Sequence, residues 1–105
     1  MAMSTASDTI RLVVFNACFS EVQAQSVVNY VDAAIGMSTS IGDEAACVFA
    51  SQLYSAIGFG LSLQTAFRQA IAQLMLEGIK EENTPKLYVK NGLDANDIVL
   101  VQPLS

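Results

Sequence analysis

The stretch IRLVVFNACFSEVQAQSVVNYVDAAIGM, residues 10–37, decides the fold. Ile10 to Ala17 is an apolar, β-branched run with little alternation, the pattern of a strand covered on both faces, as in a parallel sheet. Ser20 or Glu21 then opens a helix in which Val22, Val27, Val28 and Val31 fall at roughly helical spacing. A second short apolar run, Ala33 to Met37, follows at once. Strand, helix and strand in so few residues make a βαβ unit, whose crossover is expected to be right-handed. In open α/β sheets ligands and reactive groups sit outside the carboxyl ends of the strands, where this reading places Cys18. Parallel strands finish together, so Cys18, Ser38, Thr39, Ser40 and Asp43 are expected to line one cleft.

Outward from that unit the chain reads as helices and then strands, with no internal repeat. In STSIGDEAACVFASQLYSAIGFG, residues 38–60, Ser40 followed three residues later by Asp43 resembles a capping box, and Gly58 and Gly60 form the stop. The apolar stripe is Ile41, Ala45, Val48, Phe49, Leu53 and Ile57, and Cys47 is expected to pack. A further helix runs from Leu63 to about Glu77 with Ser62 as N-cap and Gly78 as stop. Leu63, Phe67, Ala70, Ile71 and Leu74 form its buried face. KEENTP, residues 80–85, reads as a solvated turn. KLYVK (86–90) and DIVLVQ (97–102) read as two strands joined by NGLDAN (91–96), whose Asn91-Gly92 is a hairpin signal. Residues 1–9 form a flexible lead-in, and residues 10–105 a single α/β domain.

Composition narrows the function classes. The 105 residues are 52% apolar and only 14% charged, against about 45–50% and about 25% in ordinary domains. So few charges leave an adhesive surface that predicts association with another chain. A net charge of −5 leaves nothing to neutralise a phosphate backbone, so no nucleic-acid partner is expected. No apolar run is long enough to span a bilayer, and MAMSTASDT lacks the basic start and apolar middle of a secretory signal. These features predict a cytoplasmic protein that does not engage membranes. Two cysteines make no disulfide framework, and no residues have metal-ligand spacing, so neither metal nor cofactor is expected. GFGLSLQ, residues 58–64, is no phosphate loop, because its glycines lie between helices.

Several motifs in order sharpen the reading. LVVFNACFSE (12–21), the strand around Ile35-Gly36-Met37, SIGDEAACVFASQLYSAIGFGLSLQTAFRQA (40–70) and LEGIKEENTPKLYV (76–89) resemble the C-terminal half of a CHAT domain. That family comprises caspase-like cysteine peptidases of clan CD, and the resemblance covers Arg11 to Val89. It implies half of a caspase-like (caspase-hemoglobinase) fold: a βαβ unit, two helices and a C-terminal strand pair in three layers. It further implies that Asn16, Ala17 and Cys18 match the nucleophile motif, with Cys18 as the nucleophile. Asp43, after the Ile41-Gly42 pair, matches the acid that receives the basic residue before a scissile bond, with Ser38 and Ser40 beside it.

The family's dyad also needs a histidine, and this chain contains none. Without it Cys18 has no acid to protonate a leaving amine. The charged residues nearest to it in the reading are the acids Glu21, Asp43 and Glu44. Peptide cleavage after basic residues is therefore expected only if a partner supplies the histidine, and the isolated chain is expected to be inactive. The alternative is a non-catalytic interaction or oligomerisation module, with Cys18 a small core residue and Asp43 an ordinary acid in the first turn of a helix. The missing family strands would flank Arg11 to Ala17, so that strand is expected to expose an edge. A second copy or another polypeptide would pair with it.

Overall fold

The computed structural model describes residues 11–101, so the lead-in at 1–9, Ile10 and Gln102 lie outside the described residues. Among the described residues the chain is α/β, with a three-stranded mixed sheet and three α-helices. It divides into two units. The first holds the described residues up to Ile41 together with Thr84–Leu93, and the second holds Gly42–Asn83 with the residues from Asp94 onward.

In the first unit, strand β1 (Leu12–Val14), helix α1 (Glu21–Val27), strand β2 (Ala33–Met37) and strand β3 (Pro85–Val89) follow in chain order. The sheet order is β1-β2-β3. β1 runs parallel to β2, with Leu12 opposite Ala33 and Val14 opposite Ile35, which is the expected βαβ unit. β3 is antiparallel to β2, with Val89 opposite Ala33 and Pro85 opposite Met37. Pro85 opens an edge strand, where its missing N–H costs nothing. β2 is buried along its whole length. β1 is shorter than the run Ile10–Ala17 suggests. Although the Phe15 N–H still reaches the Ile35 carbonyl at 2.9 Å, the chain then turns, and Asn16 to Phe19 are exposed.

Helix α1 packs differently from its valine spacing. Its one buried residue is Ala24, whereas Val22 is 68% exposed. The seam is small against small. A Cβ placed on Gly36 of β2 would lie 2.7 Å from the Ser20 carbonyl oxygen and 2.8 Å from the Ala24 Cβ, so the helix sits where only glycine fits. Val22 lies about 200° around the helix from Ala24 and faces away. The helix stops at Val27, where turn bonds from Tyr30 N–H to Val27 and from Asn29 N–H to Ser26 lead the chain back to β2. Val28 caps the helix and Val31 lies beyond it, buried at 6% exposure. The Tyr88 hydroxyl of β3 donates to the Glu21 carboxylate of α1. Burial first, and that acidic partner second, push the Tyr88 phenol above its ordinary value. Arg11 meets Asp32 at 2.8 Å as a partly exposed ion pair, worth at most about 1 kcal/mol.

In the second unit, α2 (Asp43–Gly58) and α3 (Leu63–Leu76) pack on each other, with Phe49 and Phe67 edge to face at 5.8 Å. Ala45, Phe49, Leu53, Ala56 and Ile57 form the buried face of α2, and Leu63, Ala66, Ala70 and Leu74 that of α3. Val48, Phe67 and Ile71 are half-buried at the margins. Ser62 caps α3 as expected, its hydroxyl accepting from the Thr65 N–H. Both helices end in a Schellman motif, with Gly60 (φ 86°) and Gly78 (φ 72°) in the left-handed position. Ile79 N–H returns to Leu74, and Leu61 N–H to Ala56.

Two further expectations are corrected. Ser40 does not cap α2. The N-cap is Gly42, which has no side-chain cap, and its own N–H donates to Glu81 Oε1 at 2.9 Å. The C-terminal strand pair is also absent among the described residues. Asn91-Gly92 does turn, closed by Leu93 N–H to Lys90 at 3.0 Å, but no hairpin follows. The Asp94 side chain caps a 3₁₀ turn at Ala95–Asp97, and the Ile98 carbonyl takes the first N–H of α3, from Leu63, at 2.8 Å. The apolar run that resembled a strand thus finds its partner at a helix end. Among the described residues, no helix is long and apolar enough to cross a membrane.

The seam makes Gly36 unlike Gly58, the last residue of α2. Gly36→Ala should lower unfolding stability by about 1–3 kcal/mol through overpacking against backbone that cannot yield. Gly58→Ala, at a helical position with nothing within 4 Å, should raise it by about 0.5–1 kcal/mol. Urea unfolding of both variants checks this, and equal midpoints would remove the close approach of α1 to β2.

Candidate functional site

Cys18 lies in the turn between β1 and α1 and is solvent-exposed. It is therefore not the small core residue of the bland alternative. The turn owes its shape to its neighbours in sequence. Phe19 has φ 57°, the left-handed region, at a non-glycine residue. Such a backbone costs about 1–2 kcal/mol, and its ring, 64% exposed, recovers little by packing. The conformation is held from outside, by Phe19 N–H donating to the Thr39 carbonyl at 3.2 Å.

Ser20 closes the turn. It is 2% exposed, and its hydroxyl donates to the Ala17 carbonyl at 2.6 Å while accepting the Met37 N–H at 3.0 Å. The last residue of β2 is thus bonded to the residue that ends the Cys18 turn.

The segment leaving β2 completes the site. The Ile41 N–H points at the Cys18 sulfur, 3.4 Å away, and the Ile41 carbonyl lies 3.9 Å from it. Among the described residues no backbone carbonyl accepts the Cys18 N–H. Ser38 donates both its N–H (2.9 Å) and its hydroxyl (3.1 Å) to the Thr84 carbonyl. Thr39 and Thr84 hydroxyls meet at 3.3 Å. Ser40 is exposed, and its carbonyl accepts from the Thr39 hydroxyl. These bonds hold 38–41 as an irregular segment, which is why the helix begins only at Asp43 and Ser40 cannot cap it.

Of the residues singled out by sequence, Cys18, Ser38 and Ser40 belong to the first unit, on the segments that leave β1 and β2. The Ser38 hydroxyl is engaged with backbone. Asp43 belongs to the second unit, as the exposed first residue of α2, where an acid suits the positive end of the helix. Cys47 is exposed, not packed. It stands about 200° around α2 from both Ala45 and Phe49 on the buried face. An open groove of about 400 Å³ runs beside Cys47 between α2 and α3, bordered by Ser51, Ser55, Gln73 and Glu77. Among the described residues, no three of His, Cys, Asp or Glu group to hold a metal ion.

Ser20 and Thr84 are the two positioning residues that sequence reading passed over. Ser20 resembled only a helix start. Thr84 resembled part of a solvated turn but is 7% exposed. The one signal for it was its place before Pro85, where a strand begins.

A scan against protein-family models finds no match to the chain, and no curated protein matches it.

Ser20→Ala would strand the buried Met37 N–H without an acceptor. The expected loss is about 1–3 kcal/mol of unfolding stability, accompanied by a changed native-state alkylation rate at Cys18 but not at Cys47. Urea unfolding together with mass-resolved alkylation reads both. An unchanged Cys18 rate would separate Ser20 from the turn.

Proposed function

We propose that the chain is a CHAT-like, caspase-like half-domain built around Cys18, related to a cysteine peptidase and inactive alone. The observation that carries this reading is an exposed thiol just past the carboxyl end of a strand in a parallel pair, with a backbone N–H directed at its sulfur. The motif residues Asn16-Ala17-Cys18 occupy that exposed turn, as a nucleophile motif requires. In an active assembly the Cys18 sulfur attacks a peptide carbonyl, and its own N–H helps to stabilise the oxyanion. By the family resemblance, Asp43 receives the basic residue before the scissile bond, and Ser38 and Ser40 are the other substrate-binding candidates. The chain has no histidine to move the proton, so cleavage requires a partner that supplies one. A three-layered caspase-like arrangement and a cytoplasmic setting belong to the same proposal, and no cofactor is called for.

The second reading, an interaction or oligomerisation module, is favoured by the outer edge of β1, which is unpaired among the described residues. Ala33 N–H bonds to Arg11 and Phe15 N–H to Ile35, so odd-numbered residues face β2 while Leu12 and Val14 turn their backbone groups outward. Among the described residues, no strand takes those groups. A second copy, or another polypeptide, would complete the edge.

Alkylation of the native protein, resolved by mass spectrometry, tests the first reading. Cys18 should react several times faster than Cys47 at neutral pH, while peptides with basic residues stay uncut by the chain alone. Rates that coincide at every pH would leave the motif without chemistry. For the second reading, Leu12→Pro should abolish self-association or partner capture in sedimentation velocity with the fold intact, because the lost N–H faces outward. Association that survives this substitution must use another surface.

A further inference from the structure

The turn after β3 carries a chemistry that neither reading uses. Residues Lys90, Asn91, Gly92 and Leu93 form a four-residue turn closed by Leu93 N–H to the Lys90 carbonyl at 3.0 Å. All four are exposed. Gly92 has φ 90°, and nothing lies within 4 Å of where a Cβ would stand. The turn is anchored at its start, where Lys90 N–H donates to the Asp32 carbonyl at 2.9 Å, and is otherwise uncovered. Among the described residues, the Gly92 N–H has no acceptor.

From these features we propose that Asn91 is a site of spontaneous deamidation and isomerisation, and that aged protein is a substrate for an enzyme that methylates isoaspartate. The Gly92 backbone nitrogen attacks the Asn91 side-chain carbonyl carbon, forming a C–N bond. The bond from that carbon to Nδ2 breaks, the Gly92 amide proton leaves with it, and ammonia departs. Water then opens the resulting succinimide. Attack at the side-chain carbonyl gives aspartate, and attack at the backbone carbonyl gives isoaspartate. The balance is one water consumed and one ammonia released, with no oxidant, reductant or catalytic residue.

The sequence and the turn both favour this position. Only a residue without a side chain lets its nitrogen approach the neighbouring carbonyl unhindered. The other asparagines precede larger residues: Asn16 stands before Ala17, Asn29 before Tyr30, Asn83 before Thr84 and Asn96 before Asp97. Asn29 is also restrained, because its amide donates to the Ser26 carbonyl at 3.1 Å. Either product adds one negative charge, taking the net charge from −5 to −6. Isoaspartate also routes the main chain through the β-carbon. The added backbone atom enlarges the ring that the Leu93 to Lys90 bond closes, so the geometry of the turn at the end of β3 changes.

The test incubates the full-length native chain at neutral and mildly alkaline pH, followed by peptide mapping, charge-resolved chromatography and methylation by an isoaspartate methyltransferase. Asn91 should convert first, give both products, accelerate with pH as the amide nitrogen is deprotonated, and generate the methyl-accepting sites. Asn91→Gln should remove them, because the corresponding six-membered ring closes slowly. Gly92→Ala should suppress conversion to the level of the other asparagines. If Gly92→Ala disturbs the turn, Asn91→Gln alone carries the comparison. Conversion of Asn91 no faster than that of Asn16, Asn29, Asn83 and Asn96, or only after unfolding in denaturant, overturns the proposal.

Discussion

The first unit depends on one close approach, that of α1 to β2 over Gly36. With no Cβ on Gly36, the Ser20 carbonyl and Ala24 descend onto the strand, so the helix begins against the sheet instead of above it. That position brings the Ser20 hydroxyl to the N–H of Met37, the residue following Gly36. The same hydroxyl reaches back to Ala17 and closes the turn that displays Cys18. The geometry around the thiol is therefore inherited from helix packing. A methyl group at position 36 would lift α1, and the Ser20 bonds would stretch with it.

The turn at Cys18 is held by backbone and hydroxyl groups, not by charge. Phe19 N–H to Thr39, Ser38 to Thr84 and Ile41 N–H to the sulfur link the exit of β1 to the exit of β2 and the entry of β3. Each such bond contributes about 1 kcal/mol net, comparable with the cost of the left-handed Phe19. Together they over-determine a backbone that no single one would hold. A strained residue persists under just such conditions, and strain of this kind concentrates where a side chain must be presented to something outside the chain.

Hydrophobic periodicity made most of the elements legible. The βαβ unit, α2, α3, the Ser62 cap and the glycine stops at Gly60 and Gly78 all follow from local pattern, because propensity and packing agree there. The misreadings share a cause. Val22 falls at helical spacing with the other valines and Cys47 is expected to pack, yet both are exposed, because which side of a helix is buried is decided by the partner surface, small at Gly36 in one case and aromatic at Phe67 in the other. Ser40 had the spacing of a cap but was already committed to an irregular segment by contacts distant in sequence. The run Ile98 to Val101 had strand character without a strand to pair with, and the Leu63 N–H captured it instead. At the site, Cys18 was legible as the end of a strand. Ser20 and Thr84 were not, because their value lies in bonds to residues 17 and 46 positions away.

The two readings of this protein compete for one strand edge, and its polarity separates them. Cys18 lies four residues beyond Val14, at the carboxyl end of β1, and the outward backbone groups are those of Leu12 and Val14. A strand added parallel to β1 would finish on the same side, about 4.8 Å across, and could carry a histidine at its own carboxyl end toward the sulfur. A second copy related by a two-fold axis would pair antiparallel, Leu12 opposite the partner's Val14. That arrangement carries the second thiol to the far end of the added strand and fills the edge. Self-association through β1 and completion of a peptidase site through β1 therefore exclude each other. The direction of whatever strand joins this edge decides whether Cys18 acquires a proton acceptor or remains an exposed thiol beside a finished sheet.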